Sequence, residues 1–294
     1  MTKSSTGDVC MKRKLFCEIN PRTYAISVKK MRIIRHMKNC FTKDKFAKTK
    51  SEKLPLLVYK HKSLIRRKLG DVDMQLQENK ANNLSIATPK INGVLINPNE
   101  IFSFWYLVGD CTKRKGYKEG LIISPGSPSK RVGGGMCQFT NLIHWLVLHS
   151  SLEILEHHHH DGIDIFPDYG RKVPFGCGTS IMYNYLDYRF KNNTDSTFQL
   201  ITYTTETHLC GELRVSDPQP LNYHICEEDA HFVEIDGTYF RRNAIARSVI
   251  DKHTGNEVDR EIIKRSNARV LCDAEFINKE LLRSVMIDED KGQN

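Results

Sequence analysis

Three consecutive glycines, Gly133-Gly134-Gly135, stand directly before an apolar stretch with helical periodicity. Adjacent glycines lose much backbone entropy on folding, so they mark a close backbone approach or a turn with positive φ. After them, apolar residues recur at helical spacing, and two further apolar side chains widen the stripe. These residues are Met136, Phe139, Leu142, Ile143, Leu146 and Val147, with Trp145 and Leu148 beside them. The pattern predicts a helix that is buried on nearly all sides.

The cysteine in this segment, Cys137, falls in or beside the first turn of the predicted helix. Free backbone N–H groups and the helix dipole favour an anion there, which predicts a lowered thiol pKa and a useful thiolate fraction at neutral pH. The same N–H groups are suited to an oxyanion hole, which makes Gly134, Gly135 and Gln138 candidate substrate-binding residues. The alternative is an inert, buried cysteine that follows a flexible loop.

Four consecutive histidines occupy residues 157–160. Alternating residues of an extended segment point to one face, so His158 and His160 are predicted to face Cys137 together, as base and orienting partner of the nucleophile. Zinc would need ligands at i and i+4 on a helix or a CxxC partner, and neither is present, so no metal site is predicted. Arg171 lies further along the same loop, and its planar guanidinium suits a substrate carboxylate. The alternative for Arg171 is an ordinary surface position.

The net charge of +9 over 294 residues is unevenly distributed. Residues 1–70 hold 20 Lys/Arg against 4 Asp/Glu, whereas the remaining residues hold 24 against 31. Because the basicity is confined to the first quarter, nucleic-acid binding is not favoured. Residues 29–38 fit an amphipathic helix on an anionic surface, or a solvated lead-in to the fold. Neither GxGxxG nor GxxxxGK[ST] is present, so no nucleotide binding and no cofactor are predicted.

Nine cysteines, an odd number without any CxxC pair, favour reduced thiols over a disulfide framework or a zinc ribbon. No apolar run approaches the roughly 20 residues of a membrane-spanning helix. The N-terminus has basic residues but no continuous apolar core behind them, so no signal peptide is predicted. We therefore expect a cytoplasmic protein, membrane-peripheral if residues 1–70 bind an anionic surface.

The expected fold class is α+β. Helices are predicted from His61 and around residues 84–94, followed by the central buried helix that carries Cys137. Beyond the polar loop after residue 156, short alternating segments predict a mostly antiparallel sheet. The predicted organisation is a basic N-terminal extension, 1–60, that is partly helical or disordered, and one domain over 61–294.

Several segments between about residues 60 and 215 resemble the VanW family. They are INGVLINPNEIFSFWYLVGD, GGGMCQ before the apolar helix, LEILEHHHH, FPDYGR, VPFGCGTS and YNYLDYRFKNNT. The specific parts are the GGGxCQ motif and the histidine-rich segment after it.

The resemblance implies a link to peptidoglycan and to glycopeptide (vancomycin) resistance, with an activity similar to that of L,D-transpeptidases. It implies Cys137 as nucleophile and a histidine of residues 157–160 as its base, with His160 preferred over His158. The substrate would be a cell-wall stem peptide or its precursor, and the reaction acyl transfer or peptide cleavage. The alternative is a non-catalytic accessory protein that binds such precursors.

Overall fold

A computed structural model of the chain describes residues 15–67, 73–124, 127–159, 162–164 and 172–283. The chain forms two compact units, Met1–Lys43 and Asp44–Asn294. The charge and composition of the sequence predict a domain boundary at residue 60. In the structure, residues 45–46 and 56–64 pair with strands of the second unit and so belong to it.

The first unit contains one long helix, α1 (Pro21–Phe41). Asn20 caps it, since its side-chain oxygen accepts hydrogen bonds from the N–H groups of Arg22 and Thr23. Proline at the first helical position supports the same start. The basic stretch 29–38 is therefore helical. Its binding to an anionic surface stays a prediction.

The second unit contains three helices among the described residues: α2 (Met74–Ile91), α3 (Phe104–Val108) and α4 (Met136–Leu148). Its strands are β1 (Lys45–Phe46), β2 (Leu56–Leu64), β3 (Val94–Ile96), β4 (Glu100–Ser103), β5 (Glu119–Ser124), β6 (Ser127–Val132), β7 (Glu153–Glu156), β8 (Ile163–Asp164), β9 (Arg189–Lys191), β10 (Phe198–Thr204), β11 (His208–Val215), β12 (Leu221–Ile235), β13 (Thr238–Asp251), β14 (Glu257–Val270) and β15 (Leu282–Arg283).

These strands form four sheets. Their strand orders are β1-β4-β9-β7, β2-β11-β10-β3, β15-β12-β13-β14-β8, and the hairpin β5-β6. Pairing is antiparallel except at β1-β4, β12-β15 and β8-β14. The α+β class with a mostly antiparallel sheet is thus confirmed.

Helix α4 lies in the core, as its apolar pattern predicts. Nearly its whole length is buried, and it packs against β11 and β2. Gly211 of β11 makes this approach close, because a Cβ there would meet Leu146 Cδ1 at 2.9 Å and Leu142 Cδ2 at 3.0 Å. The helix is therefore held along its length, which fixes the position of its first turn.

The helix predicted from His61 is wrong for residues 61–64, which belong to β2. This strand pairs antiparallel with β11 over its whole length, from Leu56 opposite Val215 to Leu64 opposite His208. Backbone pairing therefore decides the conformation there, over the helical spacing of the apolar residues. Helix α2 begins later, where the Asp73 side chain caps it by accepting from the N–H of Gln75. It contains most of the second predicted helix.

No helix in the described ranges is long and apolar enough to cross a membrane.

Candidate functional site around Cys137

The glycine run makes both features that its sequence predicts. Gly133 and Gly135 have φ of +82° and +102°, a region that glycine adopts readily and residues with a side chain adopt rarely. A Cβ on Gly133 would lie 2.4 Å from Cys111 Cβ, and one on Gly135 would lie 2.4 Å from Lys80 Cγ. The run therefore both turns the chain and lets neighbouring side chains reach its backbone.

Gly134 is packed against the backbone of strand β5. A Cβ on Gly134 would lie 2.3 Å from the carbonyl carbon of Gly120, a separation that side chains do not tolerate. The Gly134 carbonyl accepts a hydrogen bond of 2.9 Å from Asn83 Nδ2 of α2. Gly134, a candidate substrate-binding residue, thus fixes the start of α4 to two neighbouring elements.

Cys137 is the second residue of α4, at the predicted helix start. The backbone N–H groups of Ile181 and of Cys137 itself favour the thiolate and act to lower the pKa of this thiol. Burial is nevertheless the larger effect, and it raises the pKa of the Cys137 thiol above its ordinary value. The expected lowering of this pKa is wrong, because desolvation outweighs the N–H groups that favour the thiolate.

A short segment after residue 177 is clamped onto the first two turns of α4. The Thr179 N–H donates to Asn141 Oδ1 at 2.6 Å, and the Thr179 hydroxyl lies 2.8 Å from the same oxygen. The hydroxyls of Thr140 and Thr179 are hydrogen-bonded to each other. These bonds fix Thr179 beside α4, and Ile181, two residues further on, acts on the Cys137 thiol through its backbone N–H.

Two of the four histidines face α4. The ring of His157 lies against His144 of α4, at 4.0 Å between centroids, and against His159 at 3.9 Å, tilted to both. His157 Nε2 donates to the carbonyl of Gly178 at 3.0 Å. Burial lowers the pKa of His157 to about 3 and that of His144 well below its ordinary value. Both imidazoles are therefore neutral at physiological pH.

His158 turns its ring to the opposite side of the run. Its Nε2 lies 3.0 Å from Glu156 Oε1, and Glu156 is largely buried beside Arg189, 3.6 Å away. The carbonyl of His158 accepts from the N–H of Ser180 at 2.7 Å. In the described part of the chain, the ring of His158 is thus bound to a carboxylate and makes no hydrogen bond to Cys137. His160, its predicted companion on that face, lies outside the described residues, as does Arg171.

Gln138 joins α4 to the end of β2. Its Nε2 donates to Ser63 Oγ at 2.9 Å and to the Leu64 carbonyl at 2.8 Å. Its amide nitrogen therefore has a structural use, and a contact with substrate stays a prediction for Gln138, as for Gly134 and Gly135.

Within the described residues, no three His, Cys, Asp or Glu side chains are placed to hold a metal ion. The cysteines there form no disulfide: Cys17, Cys40, Cys111, Cys137, Cys177, Cys210, Cys226 and Cys272.

A cavity of about 1020 Å³ lies at the other end of α4, where Trp145 and His149 line it together with β2 and β12. At 1.5 Å per residue, His149 is about 18 Å along the helix from Cys137, so this cavity is separate from the thiol.

Four residues of this site were not found from sequence: Glu156, Asn141, Thr179 and Ile181. Glu156 had a detectable signal, because it precedes His158 by two residues and so shares its face in an extended segment. Ile181 acts through its backbone N–H, which no side-chain pattern reveals.

We expect Cys137, which is half-buried, to react slowly with iodoacetamide at pH 7, more slowly than the exposed Cys40, because its raised pKa keeps the thiol protonated. The rate should rise with pH beyond the range in which an ordinary thiol has levelled off. Peptide mapping after limited alkylation at several pH values measures both cysteines in one sample. A midpoint for Cys137 below that of Cys40 would contradict the raised pKa.

Comparison with known proteins gives consistent results. A family model described as "VanW like protein" matches residues 79–214. "Vancomycin B-type resistance protein VanW" of Enterococcus faecalis is 31% identical over 227 residues, which are 76% of this chain and 82% of that protein. "Uncharacterized protein YoaR" of Bacillus subtilis is 32% identical over 118 residues, 39% of this chain and 36% of that protein. No solved structure matches the chain.

Proposed function

Because the chain belongs to the VanW family, which is linked to vancomycin resistance, we propose that it acts on peptide stems of the cell wall or on their precursors. The proposed reaction is acyl transfer or peptide cleavage through Cys137. The observation that carries this proposal is the position of Cys137 in the first turn of a buried helix, directly after the glycine run. The backbone N–H groups of Ile181 and Cys137 favour its thiolate.

The thiol needs a base, because a buried thiol with a raised pKa is protonated before attack. The proposed bases are His158 and His160. Glu156 binds one ring nitrogen of His158 at 3.0 Å on the side away from α4, so this ring would have to turn toward Cys137 to take the thiol proton. The backbone of His158 is held near this segment, because its carbonyl accepts from the N–H of Ser180, the residue before Ile181.

In the proposed reaction, Cys137 forms a thioester with the substrate, and a second nucleophile then resolves it. The imidazole takes the thiol proton as sulfur bonds to a peptide carbonyl carbon, and the N–H groups around the sulfur stabilise the oxyanion. The carbon–nitrogen bond then breaks, and the imidazolium returns the proton to the leaving amine. An amine of a second stem, or water, attacks the thioester and releases the thiol.

The test is to incubate the protein with cell-wall tetrapeptide and pentapeptide stems and to measure released amino acid by mass spectrometry. Release that depends on Cys137 supports the proposal. Binding of the stems without release at any pH between 6 and 9 contradicts it.

A second candidate function, a non-catalytic accessory protein that binds these precursors, is favoured by one observation. The pKa of the Cys137 thiol is raised by burial, and in the described residues no imidazole is hydrogen-bonded to it. In that case the stem would bind with unchanged affinity after Cys137→Ala, and no product would form with either protein.

Replacing His158 by alanine should lower kcat by about 10²–10⁴-fold, the usual contribution of a general base. Glu156→Gln should lower kcat less, because the ring keeps a hydrogen-bond partner but loses the charge that stabilises imidazolium. The measurement is the pH profile of stem cleavage for both variants, with the exposed His253→Ala as matched control. The variant His160→Ala is measured in parallel. If kcat falls only in His160→Ala, then His160 is the base and His158 is not.

A further inference from the structure

The N-terminus of α4 lies beside a lysine whose stem is largely buried. Lys80 of α2 is 9% exposed, and its stem crosses the N-cap of α4, where a Cβ on Gly135 would meet Lys80 Cγ at 2.4 Å and Cδ at 3.2 Å. Gly135 has no side chain to cap the helix. A lysine stem therefore occupies the space that a capping side chain would fill.

Two arginines, Arg67 and Arg66, add positive charge near Lys80. Lys80 has no hydrogen bond or ion pair with any described residue, and the charged groups that act on it are Arg67 and Arg66. Glu78, the nearby acid, forms a bidentate pair with Arg66 at the surface, one arm at 2.8 Å. Both the ammonium and the positive end of the α4 dipole are thus left to attract an anion.

We propose that Lys80 and the uncapped first turn of α4 form an anion-binding site that takes the carboxylate of a peptide. Partial desolvation destabilises the charged form of Lys80, and an incoming carboxylate stabilises that form through a charge-assisted hydrogen bond. The assignment of the anion to a stem peptide rests on the proposed function. Since Gly135 and Cys137 are two residues apart, a carboxylate bound here leaves the preceding peptide bond beside the thiol.

The site should respond to pH. Burial and the two arginines lower the pKa of Lys80 to about 8. The glycine run that packs on Lys80 carries no ionisable side chain, and the first turn of α4 carries only the Cys137 thiol. The Lys80 side chain is thus charged at pH 7 and loses its charge above pH 8. Its affinity for a carboxylate should therefore be constant below pH 7 and fall as the pH rises past 8.

The test compares binding of N-acetyl-D-alanyl-D-alanine with binding of its C-terminal amide by calorimetry. The carboxylate should bind about tenfold tighter or more, as expected for a hydrogen bond between charged groups. Lys80→Met, which keeps the stem on Gly135, should abolish this preference, whereas Lys80→Arg should retain most of it. Lys60→Met, at an exposed lysine of β2, is the matched control and should leave it unchanged.

Equal affinity for acid and amide in the unmodified protein, or no binding of the acid, overturns the site. If Lys80→Met does not fold, the pH dependence of the unmodified protein and the Lys80→Arg variant decide. Cys137→Ala separates the two proposals. Selective carboxylate binding by this variant, with no stem processed by the unmodified protein, supports the anion site and contradicts the catalytic function. Turnover of stems without any preference for the carboxylate supports the catalytic function and contradicts the anion site.

Discussion

Replacing Cys137 by alanine is expected to lower stem-peptide turnover by about 10⁴-fold or more, the scale seen when a covalent nucleophile is removed. Stem affinity should stay within about a factor of two, because a methyl group in place of the thiol leaves the start of α4 and its N–H groups intact. Release of amino acid and calorimetric binding, measured on the same preparation, separate the two effects.

The matched control is Cys210→Ala, at a half-buried thiol of β11 that no step of the proposed reaction uses. It should change neither quantity. Turnover that survives Cys137→Ala would remove the cysteine from the chemistry and leave the helix start as a binding element.

Gly134→Ala is expected to have the largest effect on stability, a loss of about 3 kcal/mol or more in the free energy of unfolding. The added Cβ would lie 2.3 Å from the backbone of Gly120, and backbone atoms cannot move aside as a flexible side chain can. The hairpin β5-β6 would have to separate from α4, and the Asn83 hydrogen bond to Gly134 would be strained.

Gly178→Ala is the matched control, since a Cβ there has no heavy atom within 4 Å. Urea unfolding of both variants, followed by circular dichroism, measures the difference. A Gly134→Ala protein as stable as Gly178→Ala would show that β5 does not press on the glycine run.

Local patterns were sufficient to predict the centre of the fold. The glycine run and the apolar spacing after it predicted the start, burial and cysteine position of α4, because each depends on residues close in sequence. The same reasoning failed at residues 61–64, where pairing with β11, more than 140 residues away in sequence, decides the conformation.

The electrostatics of the site could not be read from sequence in the same way. The pKa of Cys137 depends on how deeply the thiol is buried in the fold, and that depth is a tertiary property. Among the described histidines, His157 and His159 share one face and His158 lies on the other, as period-two alternation predicts. The alternation cannot say which face meets α4, and the structure places His157 and His159 there. Lys80 reads as an ordinary helical lysine until its contact with Gly135 is known.

Intact-protein mass spectrometry after incubation with a pentapeptide stem tests the central claim most directly. The proposed reaction predicts a mass increase equal to the stem without its last residue, located on Cys137 by peptide mapping and absent from Cys137→Ala. A protein that binds the stem and releases its terminal residue without passing through this adduct, or that carries the adduct on another residue, would contradict the role assigned to Cys137.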